Sequence, residues 1–249
     1  MRRRAARVRT ERRAPRMQRG AGACLLDSPV CSDAFTAVTD SAELDTLLAD
    51  IRACRACADA LPLGPRPVLR ASAGARLLIV GQAPGTKVHA SGVPWDDASG
   101  KLLREWLGVD ADTFYDESRI AIVPMGFCYP GRGASGDNPP RPECARLWFD
   151  ALLPRLTGVR LTLLVGLYAQ RYFLGARRKA TLTDTVAAWR DYAPRYLPLP
   201  HPSPRNRGWL ARNPWFGDDV LPALRENVRS LLASPSAPGR PPFFDRNSP

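Results

Sequence analysis

The sequence predicts an α/β fold: a three-layer sandwich whose central, mostly parallel four-stranded sheet carries helices on both faces. Three observations lead there. Four short apolar runs, at 77–80, 120–124, 161–165 and 196–199, are spread along the chain. They are close to continuously apolar rather than alternating, as strands buried on both faces are. Segments of helical periodicity lie between them, and each run stops at Gly, Pro or polar residues, the alternation that builds parallel sheets.

In chain order, the folded domain is expected over residues 38–233. Thr39, Asp40 or Ser41 can cap a first helix running to about Arg52, with Leu44, Leu47, Leu48 and Ile51 on one face. A Pro-rich connector, 61–67, leads to the strand at 77–80. The turn Gly81-Gln82-Ala83-Pro84-Gly85 and a polar loop with His89, Trp95, Asp96 and Asp97 follow. From Ser99, a candidate N-cap, the pattern is helical to about 108, with Leu102, Leu103, Trp106 and Leu107 on one face. The second strand gives way to a Gly- and Pro-rich loop at 125–142. Helices are expected at 143–156, 167–174 and 181–189. The fourth strand runs into His201-Pro202-Ser203-Pro204-Arg205-Asn206, and a last helix covers 218–232. In open α/β sheets, ligands sit where such loops leave the carboxyl ends of strands.

The net charge of +12 is uneven: residues 1–19 hold nine Arg and one Glu. A basic tail on a mildly basic domain fits a polyanionic partner, nucleic acid above all. Residues 1–37 lack apolar periodicity and read as a disordered basic extension. A translation start at Met17, a nucleic-acid-binding arm and a targeting segment are the open readings of it. The Pro-rich stretch 234–249 reads as a disordered tail. No run of 18 apolar residues is present, so no membrane span is expected, and the tail lacks the apolar core of a signal peptide. The expectation is a cytoplasmic monomer.

Of six cysteines, Cys54 and Cys57 form C-x2-C, 70 residues separate Cys57 from Cys128, and 15 separate Cys128 from Cys144. A disulfide scaffold suits neither the length nor the missing secretion signal. Four thiolates can hold structural zinc or an iron–sulfur cluster, and spacing alone leaves the two level. Cys24 and Cys31 lie in the unpatterned N-terminal region and are not expected to be ligands.

The chain resembles the uracil-DNA glycosylase superfamily over about 45–230, and most closely its iron–sulfur branches. Four features in the right order carry the resemblance: the cysteine layout, the segment Asn138 to Cys144 (NPPRPEC), Gly81–Gly85 (GQAPG) at the first active-site motif, and His201-Pro202-Ser203 at the second. The resemblance implies a DNA glycosylase that hydrolyses the N-glycosidic bond of uracil or a related damaged base, a base excision repair activity, with no small-molecule cofactor. It implies a 4Fe–4S cluster on Cys54, Cys57, Cys128 and Cys144, with zinc as the other occupant. Such an enzyme must flip its base out of the stack. Gln82, Ala83, Pro84 and Gly85 would form the base pocket, joined by Asn206. Trp95, in Gly-Val-Pro-Trp where the family has a Phe, would stack on the base. His201 would face the base oxygen. Arg205, Arg207 and Arg212 would meet DNA phosphates, and Trp209 or Leu210 would fill the gap the base leaves.

Two departures bear on activity. The motif carboxylate found in other branches is absent at Gln82 and Ala83, and Asp97 in Asp-Ala-Ser-Gly is the candidate to replace it, with Asp96 its neighbour. Asp97 or Asp96 could equally be a helix cap. Pro124 stands where the family has a uracil-reading Asn. A non-catalytic nucleic-acid-binding member of the same fold is therefore the alternative reading.

Overall fold

Strand β1 (Leu77–Val80) lies inside the sheet, and all four of its side chains are fully buried. It pairs in parallel with β2 (Ile120–Ile122) on one side and with a later strand, Leu161–Val165, on the other. The computed structural model describes residues 29–134 and 136–233, with side chains from residue 41 onward. The disorder expected of both tails, the readings of Cys24 and Cys31, and the caps at Thr39 and Asp40 fall outside those residues or side chains.

Helix α1 (Pro29–Arg52) begins earlier than the cap residues at 39–41 indicate. The chain's contacts divide it between Ala37 and Val38. After β1 come α2 (Thr86–Ser91), α3 (Ala98–Leu107), α4 (Ala111–Tyr115) and β2. A two-stranded ribbon, β3 (Arg132–Gly133) against β4 (Gly136–Asp137), is antiparallel. The helix expected at 143–156 is a run of short pieces: α5 (Pro142–Cys144), a π-helical turn, α6 (Asp150–Leu152) and a 3-10 turn. Then follow β5 (Leu161–Val165), α7 (Leu167–Leu174), α8 (Leu182–Ala187), β6 (Tyr196–Leu199), α9 (Arg207–Arg212) and α10 (Leu221–Ala233).

The main sheet is ordered β2-β1-β5-β6 and is parallel throughout. Alternate side chains of each strand enter opposite layers. Leu78, Val80 and Leu164 join Leu44, Leu48 and Ile51 of α1 and Phe149 in one cluster. Leu77, Ile79, Leu163 and Val165 join Leu103, Trp106 and Leu107 of α3 and Leu224 and Val228 of α10 in the other. Two separate apolar layers on one sheet are the expected three-layer sandwich. Pro198 sits in β6 at the sheet edge, where one missing N–H leaves no ladder bond unmade. At the other edge, Arg70 exchanges both backbone bonds with Ile122, at 2.9 and 2.7 Å.

Phe149 is fully buried, with the rings of Phe127 and Tyr172 at 6.0 and 5.3 Å. Phe149→Ala is expected to lower unfolding free energy by about 3–5 kcal/mol, since it removes a large buried side chain and leaves a cavity that its surroundings fill only in part. Urea unfolding followed by circular dichroism measures this.

Candidate active site

Beyond Val80 the chain enters Gly81–Gly85, and Gly85 caps α2. Helix α2 ends at Gly92 in the left-handed conformation, φ 74°. Three residues later Trp95 has φ 59°, the left-handed backbone that a bulky residue adopts only when its surroundings impose it. Here they do. A β-carbon at Gly81 would lie 2.8 Å from the Trp95 ring, and one at Gly100 only 1.7 Å from its carbonyl oxygen. Any larger residue at Gly100 would push the Trp95 backbone away.

Helix α3 is capped by Asp97, whose Oδ1 accepts from the Gly100 N–H at 2.8 Å. This corrects the expectation of Ser99 as N-cap: Asp97 has the extended backbone of a cap, and Ser99 lies inside the helix. Asp97 also lines the cavity described next, whereas Asp96 is not among its lining residues. Asp96 instead adds to the raised pKa of the Tyr115 hydroxyl, behind burial and against the pull of Arg104.

The second motif leaves β6. The His201 ring lies 5.6 Å from that of Trp95, inclined by 37°. The His201 carbonyl accepts from Ser203 N at 2.8 Å and from Asn206 Nδ2 at 2.7 Å. Asn206, expected in the base pocket, thus has its amide nitrogen holding the His201 turn. Burial lowers the His201 pKa below 6.5, while the carboxylates of Asp97 and Asp137 pull it up. Burial wins, so the imidazole is neutral at pH 7 and has one N–H to donate.

A cavity of about 580 Å³ joins these residues. Gln82, Ala83, Pro84, Gly85, Trp95, Asp97 and His201 all line it, so the structure brings together the predicted pocket residues except Asn206. Its size suits a small ligand. Pro124 lines it too. Gln82 Nε2 donates to the Asn138 carbonyl at 3.2 Å, which ties the first motif to the base of the β3–β4 ribbon. Sequence reasoning missed Lys87, Arg132 and Asp137 on the wall. The ribbon that delivers two of them lies in a stretch where Gly and Pro signalled only loop.

Arg205 lines the cavity mouth, and Arg207 and Arg212 are exposed on α9. Trp209 is committed elsewhere. Its Nε1 donates to Thr183 Oγ1 at 2.9 Å, and its ring packs at 5.8 and 5.5 Å from Trp215 and Phe216. Leu210 packs against the same cluster. The groove-filling part expected of these two thus meets a packing role that both already have.

Cys54, Cys57, Cys128 and Cys144 are free thiols, the last two buried. Among the described residues no three His, Cys, Asp or Glu side chains are arranged to hold a metal ion. Three of the four thiols are shifted by burial and by neighbouring thiols. The Cys144 pKa is pushed up to about 12 by burial first, with Cys128, Cys57 and Cys54 adding to it. Cys128 is raised by burial and by Cys54 and Cys57, and Cys57 by burial, Glu143 and Cys54. N–H donors already face three of them: Phe127 N to Cys144 Sγ at 3.4 Å, Arg66 N to Cys128, and the Arg141 guanidinium to Cys57. Such donors accompany thiolates that ligate iron. The Arg66 guanidinium also donates to the His89 and Ala90 carbonyls at the end of α2, so one residue touches both a thiol and the helix whose first residues line the cavity.

The electrostatics make a direct prediction. The His201 imidazole should titrate below pH 6.5 in a ring-proton NMR titration. In Asp97→Asn it should titrate lower still, because the lost carboxylate favoured the charged ring.

A family model described as the uracil DNA glycosylase superfamily matches residues 70–225. A solution NMR structure from Methanosarcina acetivorans, provisionally named a uracil DNA glycosylase, is similar over 66% of this chain and 98% of that one, at 17% identity and a TM-score of 0.36. The matched segment runs from the Arg70 bridge through both strand-end motifs to α10 and takes in well over half of the residues, so the chain belongs to the uracil DNA glycosylase superfamily.

Proposed function

We propose that the protein is a DNA glycosylase that hydrolyses the N-glycosidic bond of uracil or a related damaged base. The observation that carries this reading is the convergence of Trp95, His201 and Asp97 on one cavity at the strand ends. A flipped base entering it can lie against the Trp95 ring. As the bond to the sugar breaks, its electron pair leaves with the base, and the neutral His201 imidazole donates to the oxygen that gains charge. Donors already in position for developing charge need no reorganisation when the bond breaks. Asp97 keeps one carboxylate oxygen beyond its helix cap, and that oxygen can orient water or face the sugar cation. Water adds to the sugar and its proton leaves to solvent. Arg205, Arg207 and Arg212 suit the phosphates on either side.

The test is release of free base from oligonucleotides carrying uracil, hypoxanthine, xanthine or a thymine mismatch. Wild-type protein is expected to release at least one. His201→Ala and Asp97→Asn are each expected to slow release on the order of a hundredfold while DNA binding persists. Trp95→Ala is expected to weaken capture of the flipped base by about 1–3 kcal/mol. Binding without release from any substrate would leave the non-catalytic module in its place.

The same reading includes a 4Fe–4S cluster on Cys54, Cys57, Cys128 and Cys144. The donor set suits a cluster in its chemistry, four free thiols of which three face N–H groups, although among the described residues they are not arranged to hold an ion. Such a cluster would supply four iron–sulfur bonds tying the end of α1, the stretch after β2 and α5 together. Protein purified anaerobically should be yellow-brown, with broad absorption at roughly 400 nm. Cys128→Ala should lose colour, iron and thermal stability together. Colourless protein with one zinc per chain would replace iron by zinc at the same ligands.

A further inference from the structure

We propose that Asp137, delivered by the β3–β4 ribbon, is the carboxylate that meets the positively charged sugar in this cavity. The inference rests on the glycosylase reading and names a residue which that reading does not use.

Only two carboxylates, Asp97 and Asp137, line the cavity among the described residues. They are not equivalent. Asp97 has Oδ1 bound to the Gly100 N–H at 2.8 Å, where it caps α3. Asp137 makes neither an ion pair nor a side-chain hydrogen bond among the described residues, so both of its oxygens are free for a ligand. Its position is nevertheless fixed. Its backbone pairs with Arg132, Asn138 N donates to the Gly131 carbonyl at 2.9 Å, and Asn138 Nδ2 donates to Pro130 O at 3.2 Å. Gln82 of the first motif then holds the Asn138 carbonyl from inside the cavity.

The carboxylate consequently lies against the first motif: a β-carbon at Gly85 would be 3.5 Å from Asp137 Oδ2. It is also close enough to His201 to raise that imidazole's pKa, as Asp97 is. A base lying against Trp95 within reach of His201 would have its sugar on the side of the cavity that Arg205 lines. There Arg205, which passes 3.7 Å from a β-carbon built on Gly136, can hold the adjoining phosphate. A carboxylate on the ribbon beside that arginine faces the sugar rather than the base. Heterolysis leaves the positive charge on the sugar, and Asp137 offsets it without forming a bond. Gln82 is then the positioning residue that keeps the ribbon in place.

The test compares two DNA probes. One carries a pyrrolidine nucleotide, which is cationic at neutral pH and mimics the charged sugar. The other carries a neutral tetrahydrofuran nucleotide. Full-length wild-type protein is expected to bind the cationic probe on the order of tenfold more tightly than the neutral one, from a charge pair a few ångströms apart near the surface. Asp137→Asn should erase that preference and leave affinity for the neutral probe unchanged, an outcome that a purely structural role for Asp137 would not produce. Asp112→Asn, on α4 and outside the cavity lining, should retain the preference. No preference in wild-type protein, or a preference that survives Asp137→Asn and disappears in Asp97→Asn, overturns the inference. A preference dependent on Asp137 in a protein that releases no base supports the charge assignment and rejects the glycosylase reading. Base release with a preference insensitive to Asp137 does the reverse.

Discussion

Strand β1 is the constraint on which the rest depends. Leu77 to Val80 are fully buried on both faces and are hydrogen-bonded in parallel to strands on both sides. A buried backbone must pair all its N–H and C=O groups, and here only parallel neighbours do it. Parallel pairing forces each return of the chain to cross over a face of the sheet, which is why two helical layers exist. It also gathers the carboxyl ends of the strands on one edge, so residues from 81, 124 and 201 meet there although they are far apart in sequence.

On that edge the fit is steric before it is chemical. Trp95 sits with its ring on Gly81 and its carbonyl against Gly100, in a backbone conformation that side chains rarely adopt. The strain is maintained because α3 is anchored by its own cap and by Leu103, Trp106 and Leu107 in the core. His201 is then held beside Trp95 by two donors to its carbonyl, and its burial keeps the ring neutral against two nearby carboxylates. A neutral imidazole thus stands beside two carboxylates in one cavity.

The thiol cluster and the cavity share supports rather than residues. Arg66 gives its backbone N–H to Cys128 and its guanidinium to the end of α2. The loop between Cys128 and Cys144 carries the β3–β4 ribbon, and Gln82 pins the end of that ribbon from the cavity side. Order at the cysteines therefore bears on where Asp137 stands.

The sequence by itself determined the sheet and most of the helices around it. Runs such as Leu161–Val165 and periodic faces such as Leu103, Trp106 and Leu107 are local patterns set by burial, and burial was their only requirement. It also singled out His201, Trp95 and Asp97 as candidates from their motifs, and the structure brings all three to one cavity. What it did not determine depends on contacts between distant segments. Helix α2 is a six-residue turn between glycines, too short for periodicity to register. Whether Ser99 or Asp97 caps α3 is settled by the extended backbone of Asp97 and its bond to Gly100 N, which no one-dimensional pattern distinguishes. The contacts of Trp209 with Thr183, Trp215 and Phe216 likewise come from segments distant in sequence. Asp137 carries no local signal at all. It reaches the cavity on a ribbon that Gln82, 55 positions earlier, helps to hold through the carbonyl next to it, and a hydrogen bond between two loops is decided by the tertiary structure alone.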